Sequence, residues 1–316
     1  MRIFIIGGAG YIGSHMIKTA HNAGHEVITI DNLSTGHKDA VLYGQFEFCD
    51  ILDTSKLNEI FIKYRPDAVM HFGAYSIVSE SVKDPYKYYH NNVSGTLSLL
   101  SSMVENSCKK LIFSSTAAIF GNPEYLPIDE DHVKIPINPY GKSKLMVEEI
   151  LKDFEIAYGL KYVSFRYFNA AGHDPDGRLR ERHDPETHLL PMVMQAANKT
   201  RDSVSIFGTD YETRDGTCIR DYIHVNDIAT AHLKGLDYLN NKDVKSIELN
   251  LGNGDGFTVK EIIQEVENIT GEKINIQYED RRLGDPPALI ADGDSAKEIL
   301  KLKNKYCSLK DIIETI

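Results

Sequence analysis

The chain has 316 residues, with 46 acidic side chains against 35 Lys and Arg and a formal net charge of −11. That length allows roughly two domains around a sizeable core. The acidic balance argues against a nucleic-acid or anionic-membrane partner, which would want a basic face.

Four cysteines stand far apart, at 49, 108, 218 and 307, with no C-x-x-C pair. They read as free thiols of a reducing compartment, not as a disulfide framework or a zinc site. The longest apolar stretch, residues 3–13, is too short for a bilayer and lacks the features of a signal peptide. The expectation is a soluble, cytoplasmic protein.

Taken in chain order, residues 2–6 (RIFII) read as a buried strand, 11–23 as a helix stopping near Gly24, and 26–30 (EVITI) as a second strand. Further strands are expected at 46–49, 68–72 and 111–114, with helices at 54–63 and across 85–106. This alternation predicts an α/β fold: a Rossmann-type doubly wound parallel sheet with a smaller α/β substrate-binding domain. Residues 1–168 with part of 220–252 are assigned to the nucleotide-binding domain, and 169–219 with 253–316 to the smaller one. Residues 174–187 form a polar loop, and 189–198 and 227–240 read as helices. Capping boxes are expected at Thr258-x-x-Glu261 and Ser295-x-x-Glu298, and an approximate one at Ser308-x-x-Asp311. The last residues, up to Ile316, read as the middle of a helix.

Gly7-Gly8-Ala9-Gly10-Tyr11-Ile12-Gly13 follows the first strand and opens the first helix. Glycines there let the backbone approach a pyrophosphate, and the helix N-terminus offers free N–H groups. Glycines alone are a weak sign, but Asp31 closes the second strand, as a dinucleotide site requires. Its carboxylate accepts ribose hydroxyls and repels a 2′-phosphate, which predicts NAD over NADP.

Tyr140 and Lys144 share one helix face just after Pro139. Tyr238 and Lys242, and Tyr306 and Lys310, have the same spacing, so context decides. Only Tyr140 has a hydroxyl-rich strand end upstream, Ser114-Ser115-Thr116, at the sheet edge where ligands sit. Bringing a phenol of pKa about 10 near neutrality takes about 4 kcal/mol of preference for phenolate. The Lys144 ammonium and a positive nicotinamide ring would supply it. Thr116 can hydrogen-bond the reacting hydroxyl and relay its proton.

These elements resemble the extended short-chain dehydrogenase/reductase family. The segments Asn91-Asn92-Val93-Ser94-Gly95-Thr96, Phe113-Ser114-Ser115-Thr116-Ala117, Pro139-Tyr140-Gly141-Lys142-Ser143-Lys144, Arg166-Tyr167-Phe168-Asn169-Ala170-Ala171-Gly172 and Gly216-Thr217-Cys218-Ile219-Arg220-Asp221-Tyr222-Ile223-His224-Val225 resemble its UDP-hexose 4-epimerase branch. The likeness runs from Arg2 to about Leu302. It implies a reversible inversion at C4 of a UDP-hexose through a 4-keto sugar, with retained NAD and a homodimer built on the 85–106 and 140–158 helices.

By the same resemblance, cofactor contacts fall on Gly7, Gly10, Tyr11, Ile12, Gly13, Asp31, Asn32, Asp50, Ile51, Phe72, Ala74, Asn91, Lys144 and Phe168. Substrate contacts fall on Thr116, Tyr140, Asn169, Leu189, Arg220 and Arg282, with His188 read as near the substrate and His183 as solvated. The two arginines also suit a diphosphate on chemical grounds, through bidentate guanidinium forks. No metal is expected.

Two positions depart from the pattern. Ser76 stands where some members carry a basic residue. Leu289 stands where some relatives have a large tyrosine, leaving room beside C2 of the sugar for an N-acetyl group. Among relatives, a 4,6-dehydratase would need an acid/base pair where Ala117 and Ala118 stand. A UDP-glucuronate 4-epimerase or decarboxylase stays open. A non-catalytic NAD sensor would have no reason to keep Thr116, Tyr140 and Lys144 together.

Overall fold

The computed structural model describes residues 1–241, 243–282 and 285–316. Its centre is a seven-stranded sheet with every pairing parallel. In chain order the first six strands are β1 (Arg2–Ile6), β2 (Glu26–Asp31), β3 (Gln45–Phe48), β4 (Ala68–His71), β5 (Lys110–Thr116) and β6 (Lys161–Tyr167). β7 (Asn169–Ala171), β8 (Val204–Phe207) and β9 (Ile219–His224) leave the sheet, and β10 (Ile247–Leu251) returns to it. The spatial order is β10-β6-β5-β4-β1-β2-β3. β1 and β4 are almost wholly buried, as continuous apolar runs demand when both faces of a parallel sheet are covered.

Helices α1 (Tyr11–Asn22), α2 (Thr54–Tyr64), α3 (Val78–Lys83), α4 (Pro85–Tyr88), α5 (Thr96–Glu105), α6 (Pro139–Tyr158), α7 (Leu189–Ala197) and α8 (Val225–Leu239) follow in chain order. Met16, Ile17 and Ala20 of α1 and Ile228, Ala229 and Leu236 of α8 pack on one side of the sheet. Leu57 and Phe61 of α2, Leu99 and Met103 of α5, and Val147 and Leu151 of α6 pack on the other.

A smaller core unites α7, β8 and β9 with α9 (Val259–Thr270) and α11 (Leu309–Ile313). β9 pairs with β7, with β11 (Gly256–Thr258) and with β13 (Ala288–Leu289); β12 (Ile276–Glu279) pairs with β8. The remaining helix is α10 (Asp294–Leu300).

Several expectations change. The 85–106 helix is interrupted by a π-helical turn, Tyr89–Gly95, between α4 and α5. Asn92 explains the extra residue: its side chain bonds both the N–H and the carbonyl of Tyr75 and reaches Ser143 Oγ. Such inserted turns gather at functional sites. Ser295 caps nothing, because α10 already starts at Asp294, with its N-cap at Gly293, two residues before the expected cap. The Ser308 box is a full one, with Asp311 answering the Ser308 N–H. The last helix ends at Ile313, so the final residues are not mid-helix.

Candidate active site

The glycine turn joins β1 to α1 as expected. Gly7 has φ +73°, a left-handed conformation, and a Cβ at Gly13 would stand 2.3 Å from the Gly7 carbonyl oxygen. The turn therefore closes tightly under the N-terminus of α1, where Gly10 is the N-cap with no side chain in the way. Tyr11 turns its hydroxyl to the Gly172 carbonyl at 2.5 Å, tying the turn to the segment after β7. Ile12 packs on the core beneath.

Asp31 ends β2, nearly buried, and its two oxygens accept the N–H groups of Ala9 and Leu33 at 2.9 and 2.7 Å. Burial pushes its carboxyl up, and those two N–H groups oppose the shift. Asn32 donates to Asp50 at 2.7 Å, and Asp50 also accepts from Leu52 N. The ends of β2 and β3 thus bring Asp31, Asn32 and Asp50 together, with Ile51 packed beneath. Phe72 and Ala74 follow the end of β4, half-buried, and Asn91 lies in the π turn. Phe168 follows β6 and packs with Ala117 and Leu289.

These residues fit NAD. A side chain at Gly7 or Gly13 would run into the backbone of Gly73 or Gly7, so the turn stays bare beneath a helix N-terminus, and the Asp31 carboxylate ends the neighbouring strand where a ribose would lie beside it. Asp31→Ala should weaken NAD binding about tenfold or more, through loss of charge-assisted hydrogen bonds. Isothermal titration of NAD checks this; unchanged affinity would overturn the assignment.

Tyr140 is placed by two local features. Asn138 caps α6 by accepting the Gly141 N–H at 2.8 Å. Gly141 lets the helix lie against the turn after β5: a Cβ there would stand 2.4 Å from the Ala118 carbonyl oxygen. Burial raises the Tyr140 phenol and a hydrogen bond with Thr116 lowers it. Lys144 is buried one turn on, donating to the Ser114 carbonyl at 2.7 Å. Burial lowers its ammonium to about 7, against the attraction of Glu148. β5 and α6 therefore deliver Thr116, Tyr140 and Lys144 to one place. Lys144 is held by the strand carbonyl.

Tyr306, by contrast, stacks on His224 with ring centroids 3.7 Å apart in the smaller core. Of the Tyr238 and Lys242 pair, Lys242 lies outside the described residues.

Arg220 on β9 and Arg282 converge on Asp285, at 3.9 and 3.0 Å. Arg220 also donates to the Pro286 carbonyl. Asn169 donates its amide to the Asp221 carbonyl, leaving its own carbonyl oxygen available. Leu189 is the first residue of α7, and Leu289 packs beside Phe168.

His183 is only partly solvated, its side chain 29% exposed. Its ring lies 5.0 Å from that of His188 and faces buried Glu181. His188, the N-cap of α7, has its imidazole engaged by Glu181 and Glu186.

Three buried residues had no local signal. Glu148 accepts from Ser115, Ser164 and Arg166. Asp221 accepts the N–H groups of Asn253, Gly254 and Ala291. Asp227 accepts those of Lys305 and Tyr306.

The fold and the glycine cradle together define a class, and comparison with known proteins agrees. Residues 3–252 match the model of the NAD dependent epimerase/dehydratase family, and the chain belongs to that family. It is 49% identical to the UDP-glucose 4-epimerase of Halalkalibacterium halodurans, over 99% of this chain and 94% of that one. It superposes with a TM-score of 0.96 on the UDP-glucose 4-epimerase of Brucella ovis in complex with NAD, at 48% identity, covering 99% and 96% of the two chains. The UDP-Glc/GlcNAc 4-epimerase of Campylobacter jejuni gives 0.86 at 40% identity, covering 99% and 97%.

Proposed function

We propose that the chain catalyses reversible epimerisation at C4 of UDP-glucose and UDP-galactose with tightly held NAD. The observation that carries this reading is the meeting of Thr116, Tyr140 and Lys144 at one edge of a sheet whose glycine turn and Asp31 fit NAD. When bound, NAD supplies the hydride acceptor and donor for C4.

Tyr140 takes the proton of the 4-hydroxyl and returns it to the product. Thr116 holds that hydroxyl and lines up the proton path. Lys144, held one turn on by the Ser114 carbonyl, favours the phenolate whenever it carries its proton. Arg220 and Arg282 grip the diphosphate, and Asn169, Leu189 and His188 border the sugar nucleotide. One tyrosine serves both epimers, so the 4-keto sugar turns within the site and the protein does not need a second base.

The test is to add UDP-galactose without NAD and follow UDP-glucose by NMR. Conversion is expected. No conversion even with added NAD would overturn the reading, and turnover of UDP-glucuronate alone would reassign the substrate.

Leu289, smaller than tyrosine and packed beside Phe168, supports acceptance of N-acetylated hexoses. UDP-N-acetylglucosamine should be epimerised, and Leu289→Tyr should remove that activity while sparing UDP-glucose. A wild-type rate equal to blank would refute this.

The cofactor-binding unit is proposed as residues 1–168 with part of 220–252, and the substrate unit as the rest. A homodimer is proposed through α4, α5 and α6, supported by exposed Tyr86, Leu97, Met146, Ile156 and Tyr158 on those helices. Four free cysteines support a cytoplasmic setting. Among the described residues, no helix is long and apolar enough to cross a membrane.

A further inference from the structure

Glu181, His183, Glu186 and His188 each offer one ligand atom, and the four atoms lie within 4.8 Å of one another. We propose that they form a binding site for a first-row divalent transition cation, with Zn²⁺ as the natural occupant. The donor set, two imidazoles and two carboxylates, suits that class of ion.

The geometry inside the cluster supports a cation. Glu181 Oε1 lies 2.5 Å from His188 Nδ1 and 3.1 Å from His183 Nδ1. Glu186 oxygens stand 3.5 and 3.9 Å from the same two nitrogens. With bonds of about 2.1 Å, tetrahedral zinc ligands stand roughly 3.4 Å apart. The two short pairs open and the wider ones close by about an ångström or less around such an ion.

Glu181 is the buried member of the group: its side chain is 3% exposed, and its Oε1 is shared between the His183 and His188 Nδ1 atoms.

Two N–H groups, from Thr187 and His188, already orient one Glu186 oxygen, as partners of a ligating carboxylate do.

The site also has a position that gives it a purpose. The His183 ring meets Tyr11 edge-on at 6.4 Å, and His188 opens α7. A bound ion would pin the 174–187 loop between the glycine turn and α7. Its role is structural: none of the four residues carries the proton chemistry assigned to Tyr140.

The holoenzyme should be dialysed against metal-free buffer and its zinc measured by plasma mass spectrometry, then stripped with chelator and titrated with Co²⁺. Stoichiometric metal and visible d–d bands from bound Co²⁺ are expected, with a higher Tm on adding Zn²⁺. Glu181→Gln and His183→Ala should each abolish the bands. The partly exposed His183 is the safer variant for folding, checked by circular dichroism. A holoenzyme without zinc that also takes up no Co²⁺ would overturn the proposal and leave a charge-assisted clamp. Bands that persist in folded His183→Ala would overturn it as well.

Discussion

Tyr140→Phe removes epimerase activity by at least about a hundredfold, and up to about ten-thousandfold, the range that a positioned acid/base supplies. Phenylalanine keeps the ring that meets Tyr88 edge-on at 6.4 Å, so the fold of α6 survives. Only the hydroxyl, which faces Thr116, is lost. Bound NAD should stay at the wild-type ratio, because the glycine turn, Asp31 and Lys144 are untouched. The loss should fall on kcat, with KM for UDP-galactose little changed, since an interaction made only in the transition state is removed. Single-turnover NMR with the purified variant separates the outcomes. Substantial residual turnover would move the proton chemistry to another group. A loss confined to KM would make Tyr140 a binding residue.

The structure explains why that residue could be found without coordinates. Its signals are local: Pro139 and Asn138 start a helix, and Lys144 falls one turn further on. The dinucleotide cradle is equally local, from β1 through Gly13, and Asp31 ends the next strand. Glu148 is different. It sits among ordinary helix acids in the sequence and becomes buried only because β5 and β6 bring Ser115, Ser164 and Arg166 to it. Asp221 is likewise defined by Asn253 and Ala291, which topology alone brings near.

The π turn had no periodic signature, because Asn92 creates it by bonding to Tyr75 and Ser143 across other elements. Ser295 misled for the opposite reason: a good local motif was overruled when the chain entered the helix at Asp294. The contacts of His183 had no signal either, because a polar loop reads as solvated until its folding around Glu181 is known.

Acid should unfold the protein steeply below about pH 6.5. Four imidazoles are buried in the neutral form. Burial lowers His15 and His232 to about 4, and His71 and His224 to about 3. Hydrogen bonding gives each a reason. His232 donates from Nδ1 to the Ile228 carbonyl and accepts the Tyr167 hydroxyl at Nε2. His224 Nδ1 accepts the Asn226 N–H, so a proton there would oppose another donor. Thr96 gives its hydroxyl proton to Asn92 O and accepts from His71 Nε2, leaving His71 Nδ1 buried and bare near the Lys144 ammonium. His15 donates to the Tyr11 carbonyl, with its second nitrogen buried and unpartnered.

A base whose folded pKa is depressed stabilises fully above its unfolded value, about 6.5, and loses that contribution as pH falls toward the folded value. Each imidazole then costs about 1.4 kcal/mol per pH unit, and typical domain stabilities of about 5–15 kcal/mol are consumed within a few units. Other groups run the other way, the raised carboxyls of Asp31, Asp221 and Asp227 among them. Burial raises the Asp221 carboxyl to about 6, so its protonation favours the folded state below that pH. The His188 contribution, from a pKa raised to about 10, is complete below about 6.5 and is lost only as pH rises from there toward 10, so it does not change in acid. The four imidazoles, joined below about 4.5 by the depressed Glu181 carboxyl, outweigh these carboxyls and leave a falling balance in acid. Thermal melts from pH 8 to 4 should show Tm dropping progressively below 6.5, with net proton uptake on unfolding. A Tm that holds level from pH 7 to 5 would mean that these imidazoles carry charge in the folded chain, and the hydrogen-bond roles assigned to His224 and His232 would have to be reversed.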